Sequence, residues 1–281
     1  MNDKWTTVIK PKTGWFDINL KEIWQYRDLI YMFLKRNFTS SYKQTVLGPL
    51  WFLISPLMTS SMFTVVFGQI AKISTDGVPQ FLFYMAGNTA WTYFSSCLTA
   101  TSATFTGNAH LFGKVYFPRL ISPITTVIYG LLSFGIQLIL MLCLMAFFIF
   151  GRGEAVYPNT WILLVPLMIF QMAMLGLGIG IIISSLTTKY RDLSILVGFG
   201  VHLWMYATPI VYPMSQVPEF LQGIIKLNPM APIVNNFRYA FLGCGTPEIT
   251  SWLVSMLVTA VFLFIGVVLF SKVEKTFMDT V

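Results

Sequence analysis

Few side chains of this sequence could do acid–base or metal chemistry, and their scarcity is informative. His202 is the only His, Asp, Glu, Lys or Arg side chain that lies well inside a long uncharged run. A packed, hydrogen-bonded histidine and a proton relay both fit this position, and we favour the packed residue. Ion-coupled transporters place charged groups inside the membrane, and hydrolases need acid–base groups beside the substrate. The sequence predicts neither activity.

A nucleotide site is also missing from the sequence. A phosphate-binding Walker A loop needs Gly-Lys followed by Ser or Thr, whereas only Lys12 and Lys275 precede a threonine, and neither follows a glycine. We therefore expect no enzyme activity and no cofactor in this chain, so that any ATP and magnesium would be bound by a partner subunit. The cysteines lie far apart, without a Cys-x-x-Cys spacing, and are predicted to be small hydrophobic side chains rather than metal ligands: Cys97, Cys143 and Cys244.

The composition is that of a membrane protein. Hydrophobic residues make up 56% of the 281 residues and charged residues only 10%, against about 25% charged residues in ordinary soluble domains. Six stretches between charges each exceed the ~20 residues that a spanning helix needs. We predict an all-α integral membrane protein whose residues 44–271 form a six-helix transmembrane domain. Its spans are expected near residues 49–71, 81–103, 120–150, 158–186, 193–212 and 249–271.

The basic residues predict the orientation of the chain. Lys and Arg are enriched in the cytoplasmic loops of membrane proteins. If residues 1–43 lie inside, the predicted outer loops hold only four of the 18 basic residues. Both termini are thus predicted to be cytoplasmic, with residues 272–281 as a cytoplasmic tail. The four outer basic residues are Lys72, Arg152, Lys226 and Arg238.

The N-terminal segment, residues 1–43, is predicted to contain an amphipathic helix. From Leu20 onward, apolar residues recur at helical spacing and charged residues fall on the other face. This pattern is typical of a helix that lies in the membrane interface, with Trp24 and Tyr31 at the depth of the headgroups. A cytosolic helix packed on a partner is the alternative. The residues assigned to the interfacial helix are Trp24, Arg27 and Arg36.

A proline-rich stretch before the last span differs from the other loops. Residues 213–248 hold five of the 14 prolines and two short apolar pieces, residues 217–228 and 231–243. Each piece is too short to span a membrane and too apolar for a free loop. The pattern predicts two short re-entrant or interfacial helices on the outer side.

Small and hydroxyl-bearing residues mark one face of each of two predicted spans. In the fourth span, Gly176, Gly180 and Ser184 recur every four residues, which permits the close approach of another helix backbone. In the second span, one face holds polar side chains that could either pack helices or line a translocation path: Asn88, Thr92, Ser95, Thr99 and Ser102.

Four segments resemble, in order and spacing, those of the ABC-2 type permeases that export polysaccharides. The first span is preceded by YKQTVLGPLW (residues 42–51), and the first inner loop contains NAHLFGKVYFPR (residues 108–119). The fifth predicted span ends with TPIVYP (residues 208–213), and NPMAPIVNNFRYAFLG (residues 228–243) precedes the sixth. The resemblance runs from about Leu20 to the C-terminus and is strongest to the O-antigen (lipopolysaccharide) export branch, with teichoic acid permeases as close neighbours.

The resemblance implies an assembly and a substrate. Two copies of the chain, as a homodimer, would form a channel in the bacterial inner membrane. Two copies of a separate ABC ATPase subunit would dock on the cytoplasmic side and drive transport by ATP hydrolysis. The substrate would be a long lipid-linked polysaccharide on an undecaprenyl diphosphate carrier, and no nucleic acid partner is expected.

The resemblance also implies roles for three groups of residues. Spans one and five would line the channel, where aromatic rings and hydroxyl groups suit a hydroxyl-rich glycan. Trp204, Thr208 and Tyr212 lie four apart on one face of the predicted helix, although they could equally pack helices or sit in an outer aromatic belt. The path residues are Trp51, Phe52, Ser55, Thr59, Trp204, Tyr206, Thr208 and Tyr212. The ATPase-coupling residues are Asn108, Leu111, Lys114, Tyr116, Phe117, Pro118 and Arg119, and the outer-gate residues are Asn228, Pro229 and Arg238.

Two other functions stay open at this point. A membrane scaffold or assembly subunit would have no transport path, and residues 108–119 would then be a basic loop that only follows the distribution of positive charge. A lipid- or drug-exporting ABC-2 permease would act on small amphiphiles and need no glycan channel. An ATPase gene adjacent to this one, among glycosyltransferase genes, would favour glycan export.

Overall fold

The computed structural model describes residues 20–43, 47–115, 117–154, 156–190 and 192–280. Within these residues the regular secondary structure is all helical and no strand is present, which confirms the predicted all-α class. Residues 1–19 of the predicted N-terminal segment and Tyr116 of the predicted coupling loop lie outside the described residues. The eleven α-helices are α1 (Leu20–Gln25), α2 (Arg27–Tyr42), α3 (Trp51–Phe63), α4 (Gln80–Ser102), α5 (Thr104–Phe112), α6 (Ile121–Ala146), α7 (Val165–Thr187), α8 (Leu193–Tyr206), α9 (Glu219–Leu227), α10 (Met230–Leu242) and α11 (Ile249–Thr280).

Four helical segments of the described chain are long and apolar enough to cross a membrane. They are α3 with its flanking turns (Gly48–Ile70), α6 with a π-helical extension (Ile121–Gly151), α7 with a preceding 3-10 turn (Thr160–Thr187), and most of α11 (Ile249–Glu274). These segments coincide with the predicted first, third, fourth and sixth spans.

The other two predicted spans differ from these four. The second coincides with α4, which has 23 residues but includes polar side chains and is not among the four apolar segments. The fifth coincides with α8, which is apolar but has only 14 residues. At 1.5 Å per residue it is about 21 Å long, against a hydrocarbon core of about 30 Å. Length and composition thus support four spans and a shorter apolar helix, and the predicted count of six stays a prediction.

Helix α8 ends earlier than predicted, at Tyr206 rather than near residue 212. The residue that precedes a proline disfavours the helical conformation, and proline itself has no N–H to donate. Thr208 precedes Pro209, so the chain turns there and exposes the last carbonyls of the helix. This turn, residues 207–213, takes part in the outer contacts described below.

The core is formed where α7 packs between α4 and α11. Gly176 faces the backbone of α4 at Phe94 and Leu98, and the hydroxyl of Thr101 donates to the Gly176 carbonyl at 3.3 Å. A Cβ atom on Gly180 would overlap Thr101. The small residues predicted to permit close helix approach therefore do so, on the face that meets α4.

A polar network joins α7, α11 and the beginning of α10 inside this core. The indole Nε1 of Trp252 donates to Oε1 of Gln171 at 2.7 Å, and the amide of Gln171 donates to Ser255 Oγ at 2.7 Å. Ser255 in turn donates to the Pro229 carbonyl at 2.6 Å. Because each buried polar atom in this chain of contacts has a partner, the network fixes the register of α11 on α7 without leaving a desolvated donor.

The segments predicted to lie on opposite sides of the membrane gather at opposite ends of the helices. At one end, called here the inner end, the rings of Phe33 and Phe117 meet at 5.7 Å and Arg119 contacts Glu274. At the other, the outer end, Ser215 donates to Asp76 at 2.8 Å. This arrangement agrees with the alternation of inner and outer loops that the basic residues predict.

Candidate functional site

Arg238 of α10, predicted to belong to an outer gate, is buried at the outer end with only 2% of its surface exposed. Its Nε donates to the Phe83 carbonyl at 3.2 Å, and its two Nη atoms donate to the carbonyls of Pro209 and Ile210. The guanidinium also lies 3.7 Å above the Phe83 ring. One side chain thus joins α10, the first turns of α4 and the turn that follows α8.

The sequence around Arg238 explains how a buried charge is tolerated. A cation removed from water needs several hydrogen-bond acceptors or an aromatic face. Pro209 and Ile210 provide carbonyls that no longer belong to a helix, and Phe83 provides both a carbonyl and a ring. Gly87 provides the space, because a Cβ atom there would overlap the guanidinium. We call Arg238 with these four partners the outer clamp.

Asn228, the second predicted gate residue, makes a parallel connection beside the outer clamp. Its Oδ1 accepts from Trp204 Nε1 at 2.8 Å and from the Met230 backbone N–H at 3.0 Å. Its amide nitrogen donates to Thr208 Oγ1 at 2.8 Å and to the Ala207 carbonyl at 3.2 Å. The gate segment is therefore hydrogen-bonded to the end of α8 through two residues predicted to lie on the substrate path. Pro229, the third predicted gate residue, precedes α10, and its carbonyl accepts a hydrogen bond from the Ser255 hydroxyl.

The predicted path residues of α8 fall into two environments. Thr208 is fully buried, and the Trp204 ring packs edge-on against Phe94 at 5.1 Å. Tyr206 is 53% exposed, and its carbonyl accepts from the Tyr212 hydroxyl at 3.2 Å. Because α8 ends at Tyr206, the helical spacing that would place Trp204, Thr208 and Tyr212 on one face does not reach the last two residues.

The single chain leaves one face of α3 and one face of α8 without a covering helix. On α3 the exposed stripe contains Trp51 and Ser55 and continues through Met58 and Met62, while Phe52 and Thr59 are partly buried. On α8 the exposed side chains include apolar and polar residues: Ile195, Phe199, His202, Leu203 and Tyr206. His202 is therefore exposed in the single chain, and not packed as we favoured from the sequence.

The predicted coupling segment is anchored inside the protein at the inner end. The Asn108 amide donates to Ser122 Oγ at 3.1 Å, and Phe117 and Pro118 are buried. The backbone N–H of Arg119 donates to a Glu274 carboxylate oxygen at 3.1 Å, and its guanidinium donates to the Glu274 carbonyl at 2.7 Å. This segment is thus fastened to α6 and to the last turns of α11.

Among the described residues of the coupling segment, those at its tip face outward. Lys114 and Val115 are exposed, Val115 to 56%, and His110 of α5 is exposed beside them, whereas Leu111 is partly buried. Among the described residues, a partner that docks here would meet the apolar side chain of Val115 beside the polar side chains of Lys114 and His110. The ring of Phe117 is not available to it, because that ring packs against Phe33 and Phe112.

The amphipathic segment predicted to form an interfacial helix is helical, as α1 and α2, and one side of α2 packs along α6, while its position in the membrane interface stays a prediction. Ile30 and Phe33 face the core, whereas Trp24 and Tyr31 are 71% and 67% exposed. Arg27 is exposed, and the Arg36 guanidinium lies 4.8 Å above the Phe33 ring. The helix thus has one face on the protein and an aromatic face turned away from it.

Comparison with known proteins places these features in a family. The model of the ABC-2 type transporter family matches residues 28–242, from α2 to the end of α10. The chain belongs to this family. The O-antigen export system permease protein RfbA of Klebsiella pneumoniae is 26% identical to this chain over 253 residues, which are 90% of this chain and 94% of the relative.

Two further relatives extend the comparison of this ABC-2 permease. The O-antigen export system permease protein RfbA of Myxococcus xanthus is 24% identical over 265 residues, 93% of this chain and 98% of the relative. The polysialic acid transport protein KpsM of Escherichia coli is 22% identical over 234 residues, 83% of this chain and 89% of the relative. The resemblance to polysaccharide-exporting permeases that the sequence motifs indicated is thereby confirmed, and the chain is a membrane subunit of a transporter.

Residues of this ABC-2 permease outside the sequence motifs also take part in the site, and Glu274 and Gly87 are examples. Glu274 accepts hydrogen bonds from Arg119, and its signal in the sequence is a carboxylate between two lysines, Lys272 and Lys275, in the predicted cytoplasmic tail. Gly87 makes room for Arg238, but a glycine inside a helix has no signal of its own unless the neighbouring side chain is known.

Proposed function

We propose that this chain is the permease subunit of an ABC transporter that exports a lipid-linked polysaccharide across the bacterial inner membrane. The observation that carries the proposal is the match, over nearly their whole length, to relatives named as O-antigen export permeases. A third relative, named for polysialic acid transport, is also connected with a glycan. O-antigen on undecaprenyl diphosphate is the substrate that these relatives favour, with a teichoic acid as the neighbouring possibility.

In this proposal α4 and α8 complete six membrane segments, and both termini are cytoplasmic. The aromatic face of α1 and α2, with Trp24 and Tyr31, lies in the cytoplasmic interface, since such rings favour the headgroup region. Helices α9 and α10 lie at the outer surface. The end-to-end segregation of inner and outer segments supports this placement.

The uncovered faces of α3 and α8 support a channel between two copies of the chain. In lipid alone, the polar side chains of Ser55, His202 and Tyr206 would lack partners, and such groups in a membrane mark paths or contacts with other helices. A second copy can cover part of each face and leave a polar, aromatic passage between them. A glycan would meet hydroxyl groups and rings there, and no fixed charge that could trap it.

Energy would come from a separate ATPase that docks on the exposed tip at Lys114 and Val115. Movement of this tip would reach α6 and α11 through Asn108, Arg119 and Glu274, which connect it to both helices. Because Phe117 is buried, its ring would act in transmission within the chain rather than in direct contact with the ATPase.

Gene deletion and complementation test the proposal. Deletion is expected to remove the polysaccharide from the cell surface, while lipid-linked polymer accumulates in the cytoplasm. Wild-type protein restores export, and a variant with Lys114→Glu and Val115→Asp folds and inserts normally but neither exports nor co-purifies with the ATPase. Unchanged surface glycan together with greater sensitivity to small amphiphiles would instead identify a drug or lipid exporter. If the chain were only a scaffold, the double variant would complement the deletion as well as the wild-type protein does.

The substrate path has a matched pair of variants. Tyr206→Ala changes an exposed ring and is expected to lower export per folded complex without changing the melting temperature. Trp204→Ala removes a packed ring and its hydrogen bond to Asn228, and is expected to lower the melting temperature. If the Tyr206→Ala variant exports glycan at the wild-type rate per folded complex, α8 does not line the substrate path.

A further inference from the structure

The outer end contains a cavity of about 430 Å³ directly above the outer clamp. It lies between the turn at Met214–Gln216, helix α9, helix α10 and the loop that follows α10. Its volume falls within the ~300–1,000 Å³ of small-molecule sites and suits a short segment of an oligosaccharide. The backbone at its rim is constrained, because Asp76 has a φ of +52°, a conformation that a residue other than glycine rarely adopts.

The wall of the cavity is rich in side chains that can both donate and accept hydrogen bonds. Hydroxyl and amide groups come from Ser215, Gln222, Asn235 and Thr246. Asn235 is half-buried and reaches the cavity from α10, whereas the Gln222 amide also donates to the Val217 carbonyl at 2.9 Å. These are groups that match the hydroxyls of a sugar, each of which donates one hydrogen bond and accepts others.

The charges around the cavity oppose a charged ligand of either sign. The carboxylates of Asp76 and Glu248 stand on the wall and would repel an anion. The guanidinium of Arg238 lies at the floor, where its positive charge would repel a metal ion or an amine. Its donors are directed at backbone carbonyls, so it does not present the open fork that binds phosphate.

A neighbouring buried group has no partner within the described residues. The Asn236 side-chain nitrogen is buried and makes no hydrogen bond there. It lines a small pocket of about 10 Å³, the size of one water molecule, and this pocket shares Asn235 and Glu248 with the larger cavity. A buried donor that lacks a partner is unfavourable, so this amide favours a hydrogen-bonding occupant in or beside the cavity.

We infer that this cavity is a binding site for a neutral sugar segment, separate from the faces of α3 and α8. The inference rests on the proposed function for the source of the sugar, which is the glycan leaving the membrane. A glycan held weakly at the outer end is hindered from sliding back while the ATPase resets. Hydrogen bonds to side chains, each individually weak, permit this hold to be released with every step.

Saturation-transfer NMR on the full-length protein in nanodiscs tests the inference. The probes are lipid-free polysaccharide prepared from the source cells and a panel of neutral disaccharides, with glucuronic acid and inorganic phosphate as anionic comparisons. Neutral probes are expected to receive saturation from the protein, and the anions are not. Binding of phosphate in place of the sugars would overturn the inference, as would the absence of transfer to every neutral probe.

Two variants and a matched control assign the signal to the cavity. Asn235→Leu removes an amide without breaking a described hydrogen bond, and Thr246→Val replaces an exposed hydroxyl by a methyl group of similar size. Each is expected to raise the Kd about 3- to 10-fold, the effect of one lost hydrogen bond. Gln216→Leu makes a similar change on an exposed residue of the adjacent turn that does not line the cavity, and should leave the Kd unchanged. Equal affinity in all three variants would overturn the inference.

The outcome of the sugar-binding experiments is independent of the gene-deletion test of the proposed function. If gene deletion leaves the surface glycan intact but the cavity binds neutral sugars, the function is wrong and the sugar site stands. If deletion abolishes export, yet Asn235→Leu and Thr246→Val bind sugars and export glycan at the wild-type rate, the function stands and the sugar site is wrong.

Discussion

At the outer end, a guanidinium and an amide connect α4, α10 and the end of α8 through hydrogen bonds. At the inner end, aromatic rings and one arginine make the corresponding connections. Arg238 is buried and Asn228 is partly buried, and the contacts of both are directional hydrogen bonds. Phe105 stacks on Phe270 at 4.5 Å and Phe33 meets Phe117 edge-on. Ring contacts are less directional and contribute on the order of 1 kcal/mol each.

The difference assigns different mechanical roles to the two ends. A buried hydrogen bond that is broken without replacement leaves desolvated groups, so the outer connections have one favourable geometry. Rings can slide and retilt with smaller losses, so the inner end can change shape when a partner pulls on it. In this interpretation the outer end is a fixed frame, whereas the inner end can deform. The following experiments test this contrast.

The largest effect is expected from Arg238→Met, which removes the outer clamp. The carbonyls of Phe83, Pro209 and Ile210 lose their partner inside the protein, and each unsatisfied buried group costs about 1–3 kcal/mol. We expect a loss of at least about 3 kcal/mol in the free energy of unfolding, measured by thermal unfolding in detergent. The control is Arg152→Met, which alters an exposed arginine in another loop. Similar melting temperatures for the two variants would contradict the fixed-frame interpretation.

A smaller loss is expected from Gly87→Ala, because the added methyl group overlaps the Arg238 guanidinium. Overpacking of this kind costs about 1–3 kcal/mol. Gly135→Ala is the matched control, since it lies inside α6 with no neighbour near the new methyl group and should be neutral or slightly stabilising. In an Arg238→Met background the cost of Gly87→Ala should largely disappear. A cost that persists there would mean that the methyl group collides with something else.

At the inner end, Arg119→Gln is expected to cost about 0.5–1.5 kcal/mol, through loss of the hydrogen bond to the Glu274 carbonyl. With the proposed ATPase bound, ATP hydrolysis should continue while export falls, because one of the two hydrogen bonds that connect this segment to α11 is lost. Lys114→Gln, on the exposed tip of the same segment, should leave the melting temperature unchanged and weaken co-purification with the ATPase. Reversal of these two patterns would show that Arg119, not the tip, contacts the partner.

The smallest effect concerns the ion pair at 3.0 Å between Lys226 and Glu248 at the outer end. Partial burial favours a higher pKa for Glu248, but hydrogen bonds from Ser251 and Lys226 and the lysine charge outweigh it and hold that pKa below its usual value. The pair therefore stabilises the fold at neutral pH, and its contribution is lost as the pH falls below about 4 and the carboxylate becomes protonated.

Lys226→Gln tests this pair. Exposed ion pairs contribute about 0.2–1 kcal/mol, so the variant should melt slightly below the wild type at pH 7. The difference in melting temperature between the variant and the wild type should narrow as the pH approaches 3.5. Lys72→Gln, at an exposed lysine in the loop after α3, should show no gap at either pH. A gap that stays constant with pH would mean that the lysine acts through packing of its side chain.

The sequence is a good guide where the physical cause is local. The apolar runs locate four spans, and Gly176 and Gly180 indicate the close α4–α7 packing, because composition and spacing alone set both features. The end of α8 follows from Pro209, although the uncharged run continues to residue 218 and suggests a longer helix.

The site is less accessible to sequence reasoning, for a definite reason. The partners of Arg238 are backbone carbonyls, and a carbonyl has the same chemistry in every residue. Nothing in the residue types of Pro209 and Ile210 therefore marks them as acceptors. Similarly, an aromatic residue such as Phe117 in a basic loop suits both a partner's groove and the chain's own core, and only the position of Phe33 decides between them.

The length of α11 has a mechanical consequence. Its 32 residues make a rod of about 48 Å, longer than the ~30 Å hydrocarbon core. The rod is pinned near one end, where Trp252 donates to Gln171, and is held near the other by Phe270 and Glu274. A tilt of about 5° around the pinned end moves the far end of such a rod by about 4 Å. The last helix can thus tilt as a rigid rod about its outer end. A displacement of a few ångströms at Arg119 would then rotate the helix by only a few degrees near Trp252.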